Sequence, residues 1–313
     1  MHWSKVVTEL VDFVAYFLAI GAVGFRYAAV RRRIAGTEAA ASTDTLVYAD
    51  ALKRAAIIGL VGAVMHGAMF LEGLPNAAAR AHTSAAQLLT GDLQTGLRAL
   101  LLLAAIIGFA LASARRRAGW PIAAIGVVLD PFVPILSGKW TRLINPVHMF
   151  VGGLWLGTLF VLVVAGIVSV LRDERSPQRR GALVAEMVNG FSPVALTCGL
   201  VLVASGLLTA WRHLNPLSSL WSTPYGYALL FKLCLVAVVF ALGAWNWRRQ
   251  RPQLGSEEAA VAIRHSSVLE LAVATLVLVA TSVLVSLPSP RPPRPPGAQP
   301  PGSPPSGNGS QLK

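Results

Sequence analysis

Charge is scarce in this chain. Asp, Glu, Lys and Arg together make up 13% of its 313 residues, against roughly a quarter in soluble domains. That shortage excludes a water-soluble surface for most of the chain. Cysteine is almost missing as well. The two present, Cys198 and Cys234, both fall within apolar runs, so they say nothing about redox compartment. There is no P-loop Gly-x-x-x-x-Gly-Lys, no Cys-x-x-Cys, no paired zincin histidines and no nucleophile elbow, which leaves ATP hydrolysis and hydrolytic chemistry unsupported. The chain is read as a non-enzyme.

What is abundant is apolar sequence, at 54% hydrophobic residues and a mean hydropathy of +0.59. A helix crosses the hydrocarbon core in about 20 apolar residues. Windows of that length give eight spans, at about 9 to 30, 55 to 74, 97 to 114, 120 to 136, 147 to 171, 191 to 211, 225 to 247 and 266 to 287. The expected fold is all-α, a polytopic bundle in the lipid bilayer. Span four is the shortest, and Asp130-Pro131 and Pro134 should bend it, with neighbouring helices satisfying the freed carbonyls.

Basic residues set the orientation, because short loops rich in Lys and Arg stay on the cytoplasmic side. Arg31 to Arg33 with Lys53 and Arg54, Arg115 to Arg117, Arg172 to Arg180, and Arg248 to Arg264 cluster in alternate loops, while the opposite loops and both ends hold few. Both termini are therefore expected outside. The net charge of +13 follows from this topology, and no soluble domain remains to bind nucleic acid. The start does not read as a cleavable signal, since its apolar segment is too long and Glu9 and Asp12 precede it. Residues 289–313, dominated by Pro, Gly and Ser, read as a disordered tail. In the loop from Pro75 to Gly96, Ala77 to Leu89 reads as a short interfacial helix carrying His82.

The halves 1–145 and 146–288 invite alignment. His66-Gly67 in span two answers Ser205-Gly206 in span six. Asp12 stands nine residues before Gly21, as His148 does before Gly157. Four spans per half would keep two copies parallel, and chance likeness among Ala, Gly, Leu and Val runs is the alternative.

The most specific stretch is VHMFVGGLWLG, Val147 to Gly157. His148, Gly152 and Trp155 share one helix face, and Gly153 with Gly157 allows another helix close. The histidine reads as a metal ligand, a haem ligand or a hydrogen-bonded structural residue. Met65, His66, Met69 and Glu72 form a second stripe in span two. Thioether and imidazole suit Cu(I), although methionine also fills gaps in cores. With Met149 and His213 these donors fall in the expected outer half. Cys234, Cys198, Glu270 and His265 then follow inward, an order that suits an ion relay and that chance also produces. Asp130 and Lys232 lie at membrane depth, where ionisable residues ask for a functional reason or a partner. The two are expected to pair, unless Lys232 snorkels outward.

Taken together, Val147 to Gly157, FSPVALTCGLVLVASGLLTAW (Phe191 to Trp211), LWSTPYGYALLFK (Leu220 to Lys232) and the LEL of Leu269 to Leu271 resemble the copper resistance protein D (CopD) family, most strongly from about residue 146 to 288. The resemblance implies a multi-pass bacterial inner-membrane protein that moves copper from periplasm to cytoplasm, often beside a small periplasmic copper-binding partner. His148, Trp155, Thr223, Tyr225, Gly226, Lys232 and Glu270 stand at matching positions. Where family members often carry Ser-Gly-His, this chain has Ser137-Gly138-Lys139, which shifts copper capture to His82 or His213. Two other readings are a haem b protein ligated by His66 and His148 that passes electrons across the bilayer, and a non-transporting subunit of a membrane complex.

Overall fold

A computed structural model describes residues 3–30, 41–137, 143–172, 177–213, 218–250 and 254–287. Among them there is no strand, and the only sheet-like feature is an isolated bridge between Leu254 and Ser256. Eight helices are long and apolar enough to cross a membrane: Trp3–Ala29, Leu46–Arg80, Leu93–Ser113, Gly119–Leu136, Ile144–Leu171, Pro177–Thr209, Pro224–Arg249 and Glu257–Ser286. They are spans one to eight below. Because their number is even, Trp3 and Ser286 lie at one end of the bundle, the terminal end, and Arg115, Arg172 and Arg249 at the other, the arginine end. The expected tail and Lys139 fall outside the described residues.

The helices run past the apolar windows where polar sequence can be anchored. Span two belongs to a helix covering Ala41–Arg80, with Pro75 inside it. The expected interfacial helix from 77 to 89 is instead split. Span two continues to Arg80, His82 turns the chain at a positive φ of 51°, and a separate helix, Ala85–Gly91, begins at a capping box between Ser84 and Gln87. The Ser84 hydroxyl and the Gln87 side chain satisfy each other's backbone donors, and this stops the first helix from running on. Span three starts at an Asp92 cap, whose carboxylate accepts from the Thr95 hydroxyl and amide. Those bonds hold the Asp92 carboxyl below its ordinary value. The cap is therefore intact above about pH 4 and weakens as the pH falls further.

Span four is α-helical from Gly119 to Leu129 and tightens to a 3-10 helix over Asp130–Ser137. Proline has no N–H to give, so Pro131 and Pro134 interrupt the α-helical ladder here, as the sequence leads one to expect. Single π-helical turns interrupt span one at Phe25–Ala29, span five at Leu162–Ile167 and span seven at Asn246–Gln250.

Span one is the hub, packing on spans two, four, five and eight, while its π turn meets span six. Spans two, three and four gather on one side of it. Span five packs on span six, and span seven lies chiefly against span eight at the periphery. The tightest contact is the crossing of spans one and five. A Cβ on Gly21 would collide with the backbone of Gly157, and one on Gly157 with the carbonyl of Phe17. Gly153 faces Ile20 and Phe17 in the same seam. Without a hydrophobic drive between helices in lipid, such backbone approach is what holds a crossing through close packing. The seam makes a sharp prediction: Gly157→Leu should lower stability by about 3 kcal/mol or more through overpacking. Gly73→Ala, whose added methyl meets nothing within 4 Å, should be neutral or raise stability by up to about 1 kcal/mol. Thermal unfolding of both variants in the same detergent tests the pair, and equal losses would remove the seam from the account.

Candidate functional site

Two polar clusters sit inside the bundle, one in each half. In the N-terminal half His66, on span two, is buried at 5% exposure between two carboxylates. Its Nδ1 lies 2.6 Å from Asp12 Oδ1 on span one, and its Nε2 lies 3.2 Å from Asp130 Oδ2 on span four. Asp130, 3% exposed, also accepts at Oδ1 from Arg98 Nε of span three, at 3.1 Å. Four spans are thus tied by one chain of charge-assisted bonds. The Tyr16 ring packs 5.6 Å from the imidazole. Its hydroxyl is buried and takes no hydrogen bond among the described residues.

The cluster opens to the terminal end through a cavity of about 410 Å³, whose wall includes Glu9, Asp12, His66, Met69, Asp92 and Arg98. Asp130 therefore does not pair with Lys232 as expected. Arg98 reaches it first, because span four packs against span three while span seven lies across the bundle on span eight. Lys232 is half-buried, makes no ion pair among the described residues and stands within electrostatic reach of His148.

In the C-terminal half His148 on span five meets Ser205 on span six, with Nδ1 2.8 Å from Oγ. The serine fixes the tautomer. Its own hydroxyl hydrogen goes to the Val201 carbonyl at 2.7 Å, so Ser205 Oγ accepts from His148 and the ring proton sits on Nδ1. Nε2 is left with a lone pair and takes no hydrogen bond among the described residues. Two turns further along the same face, Trp155 packs on Phe240 of span seven at 5.3 Å.

The sequence-derived candidates therefore separate. His66 and Met69 line the same cavity, whose lining does not include Met65. Met65 is half-buried, and Met149 is half-buried against the core. His66 and His148 belong to different clusters with different partners. Cys198 is buried on span six, whereas Cys234 is exposed on span seven, so the two thiols do not continue an interior relay. Glu270 is buried on span eight and accepts from Asn246 of span seven at 3.1 Å. His213 ends its helix, and its side chain lies outside the described residues. No group of three or more His, Cys, Asp or Glu suited to a metal occurs among the described residues.

Asp12 bonds His66 as His148 bonds Ser205, and Gly21 faces Gly157. What sequence reasoning missed is the joint role of Asp12, Arg98 and Tyr16. The signal was available, since Asp12 and Arg98 fall inside apolar windows where an unpaired charge is costly.

Breaking the first cluster from one side should show that cost. Asp130→Ala strands Arg98 and His66 and should cost about 3 to 5 kcal/mol of stability. Arg115→Ala removes an exposed pair to Asp50 at 2.8 Å and should cost no more than about 1 kcal/mol. Comparing the unfolding midpoints of the two variants tests the contrast, and similar small losses would mean that the cluster is not a structural tie.

Residues 185–284 match the profile of the family described as Copper resistance protein D. Over 153 residues the chain is 33% identical to the "Copper transport protein CutJ" of Bacillus subtilis (strain 168), an alignment covering 49% of this chain and 26% of that protein. The chain thus spans about a quarter of the length of the curated relative it matches. No solved structure matches it. Through spans six, seven and eight, from residue 185 to residue 284, this chain is similar to the copper resistance protein D family.

Proposed function

We propose that this protein carries or handles copper ions across the bacterial inner membrane, without catalysing a reaction. The observation that carries the reading is the match of spans six to eight to the copper resistance protein D family, supported by the likeness to a protein named for copper transport. The direction we infer is from the terminal end inward, as Cu(I). The basic loops at the arginine end, by the rule that Lys and Arg stay cytoplasmic, favour a periplasmic terminal end. A small periplasmic copper-binding protein is the partner this direction calls for.

His148 is the best donor for the ion. Its Nε2 lone pair is oriented by a serine that holds Nδ1–H, the arrangement metal-binding imidazoles use. Two-coordinate Cu(I) needs few donors and accepts thioethers, so Met149, Met69 and His213 remain candidates for the other ligands and for relay positions. The acidic wall of the cavity, with Glu9, Asp12 and Asp92, gathers cations at the entrance by its charge. The two halves, we infer, are copies of one four-span unit, with the copper donor in the second copy. A haem between His66 and His148 fits poorly, because both ring nitrogens of His66 already face carboxylates and axial ligation needs one of them.

Copper content of the purified protein and uptake by proteoliposomes test the reading. His148→Ala should abolish binding at this site. Ser205→Ala should weaken copper affinity by about 10-fold or more through loss of the orienting hydrogen bond. Unchanged copper content in His148→Ala would remove His148 from the pathway, and a haem b band in the reduced-minus-oxidised spectrum would overturn the copper reading itself.

A further inference from the structure

The densest group of ionisable side chains lies in the half of the chain that the family profile does not reach. Its chemistry can be counted. Two hydrogen-bond contacts join His66 to carboxylates, at 2.6 Å to Asp12 and 3.2 Å to Asp130. Each needs a proton between nitrogen and oxygen. A neutral imidazole brings one, so the cluster as folded holds one more, wherever between ring and carboxyls it rests. The charge agrees: two carboxylates, the Arg98 guanidinium and that additional proton sum to zero. Without the proton the cluster, buried at His66 and Asp130, would carry a net negative charge, and a nitrogen lone pair would face a carboxylate oxygen, which low-dielectric surroundings penalise.

Among the described residues, the cavity at the terminal end reaches the cluster. Asp12, His66 and Arg98 line the cavity at the terminal end. On the other side the cluster is closed by Tyr16 and a void of about 10 Å³ walled by Ala19, Ala63, Leu102, Ala105 and Val127. The charged or titratable groups facing His66 are Glu9, Asp12 and Tyr16 from span one, Asp92 and Arg98 at the start of span three, and Asp130 from span four. On span two the charged residue nearest His66 in sequence, Glu72, is exposed. Glu9 and Asp92 at the mouth favour the arrival of a proton.

We propose that the Asp12–His66–Asp130–Arg98 cluster is a proton-binding site that takes up and releases one proton through the terminal-end cavity. This inference rests on the geometry of the cluster and not on the copper reading. Release breaks one of the two bonds that tie span two to spans one and four, so the proton also sets how firmly three helices are held. In this arrangement neither ring nitrogen of His66 has a lone pair to offer a metal, which separates the site from the donor at His148.

The test uses the full-length protein, labelled with nitrogen-15 at histidine, in lipid nanodiscs without copper, with His66→Gln identifying the His66 signals in the magnetic resonance spectrum. At neutral pH both ring nitrogens of His66 should be shared with a proton, and alkaline titration should remove one. In Asp130→Asn, where Asp12 and Arg98 already balance, the ring should be neutral at the same pH with one unprotonated nitrogen. A His66 ring with one bare nitrogen in the unmodified protein throughout about pH 5 to 8 would overturn the proposal. So would identical His66 spectra in the unmodified protein and in Asp130→Asn. The wild-type spectrum decides even if a variant fails to fold. Because no copper is present, the outcome is independent of whether the copper proposal survives.

Discussion

The bundle depends on how closely spans one and five approach. Where Gly21 meets Gly157, there is no room for a single Cβ, and the backbones pack against each other directly. Helices in lipid gain nothing from burying apolar surface that the tails do not already cover, so contact of this kind carries the association. The His66 and His148 clusters are both positioned from this seam. Span one presents Asp12 and Tyr16 to span two and span four on one side. Span five presents His148 to span six on the other. The two clusters lie on either side of one helix crossing, with the carboxylate of Asp12 presented by span one and the imidazole of His148 by span five.

That difference separates their chemistry. A histidine held by two carboxylates and buttressed by an arginine is saturated, and it can exchange only a proton. A histidine held by a serine hydroxyl, itself committed to a backbone carbonyl, keeps an unshared electron pair. Partners one helix away thus decide whether an imidazole in a membrane is an acid-base group or a ligand. Lys232, which the expected pairing would have placed against Asp130, instead stands near His148, and its charge becomes part of the C-terminal environment.

The span count was legible in the sequence because hydrocarbon thickness leaves a length signature that no other environment imposes. The break in the α-helical ladder at Asp130 was legible for an equally local reason, the prolines. Gly153 and Gly157 announced a close helix, though not which one. Partner identity was the part that could not be read. Whether Asp130 meets Lys232 or Arg98 depends on which spans are neighbours, and apolar runs of similar composition give no preference. The same gap explains the cysteines, where depth along a helix says nothing about which face Cys234 turns. The split near His82 was also hidden, since a capping box at Ser84 competes with helix propensity only once the chain has turned. Asp12 was the missed opportunity, because a carboxylate in an apolar window asks for a partner and His66 stood one span away.

The glycine seam also has a meaning for biogenesis. Span one is made well before span five, whose surface it needs and which follows more than a hundred residues later. Until then Gly21 lacks its partner, while spans two and four can already pack beside it. The carboxylate-histidine ties among spans one, two and four can therefore form before the seam does.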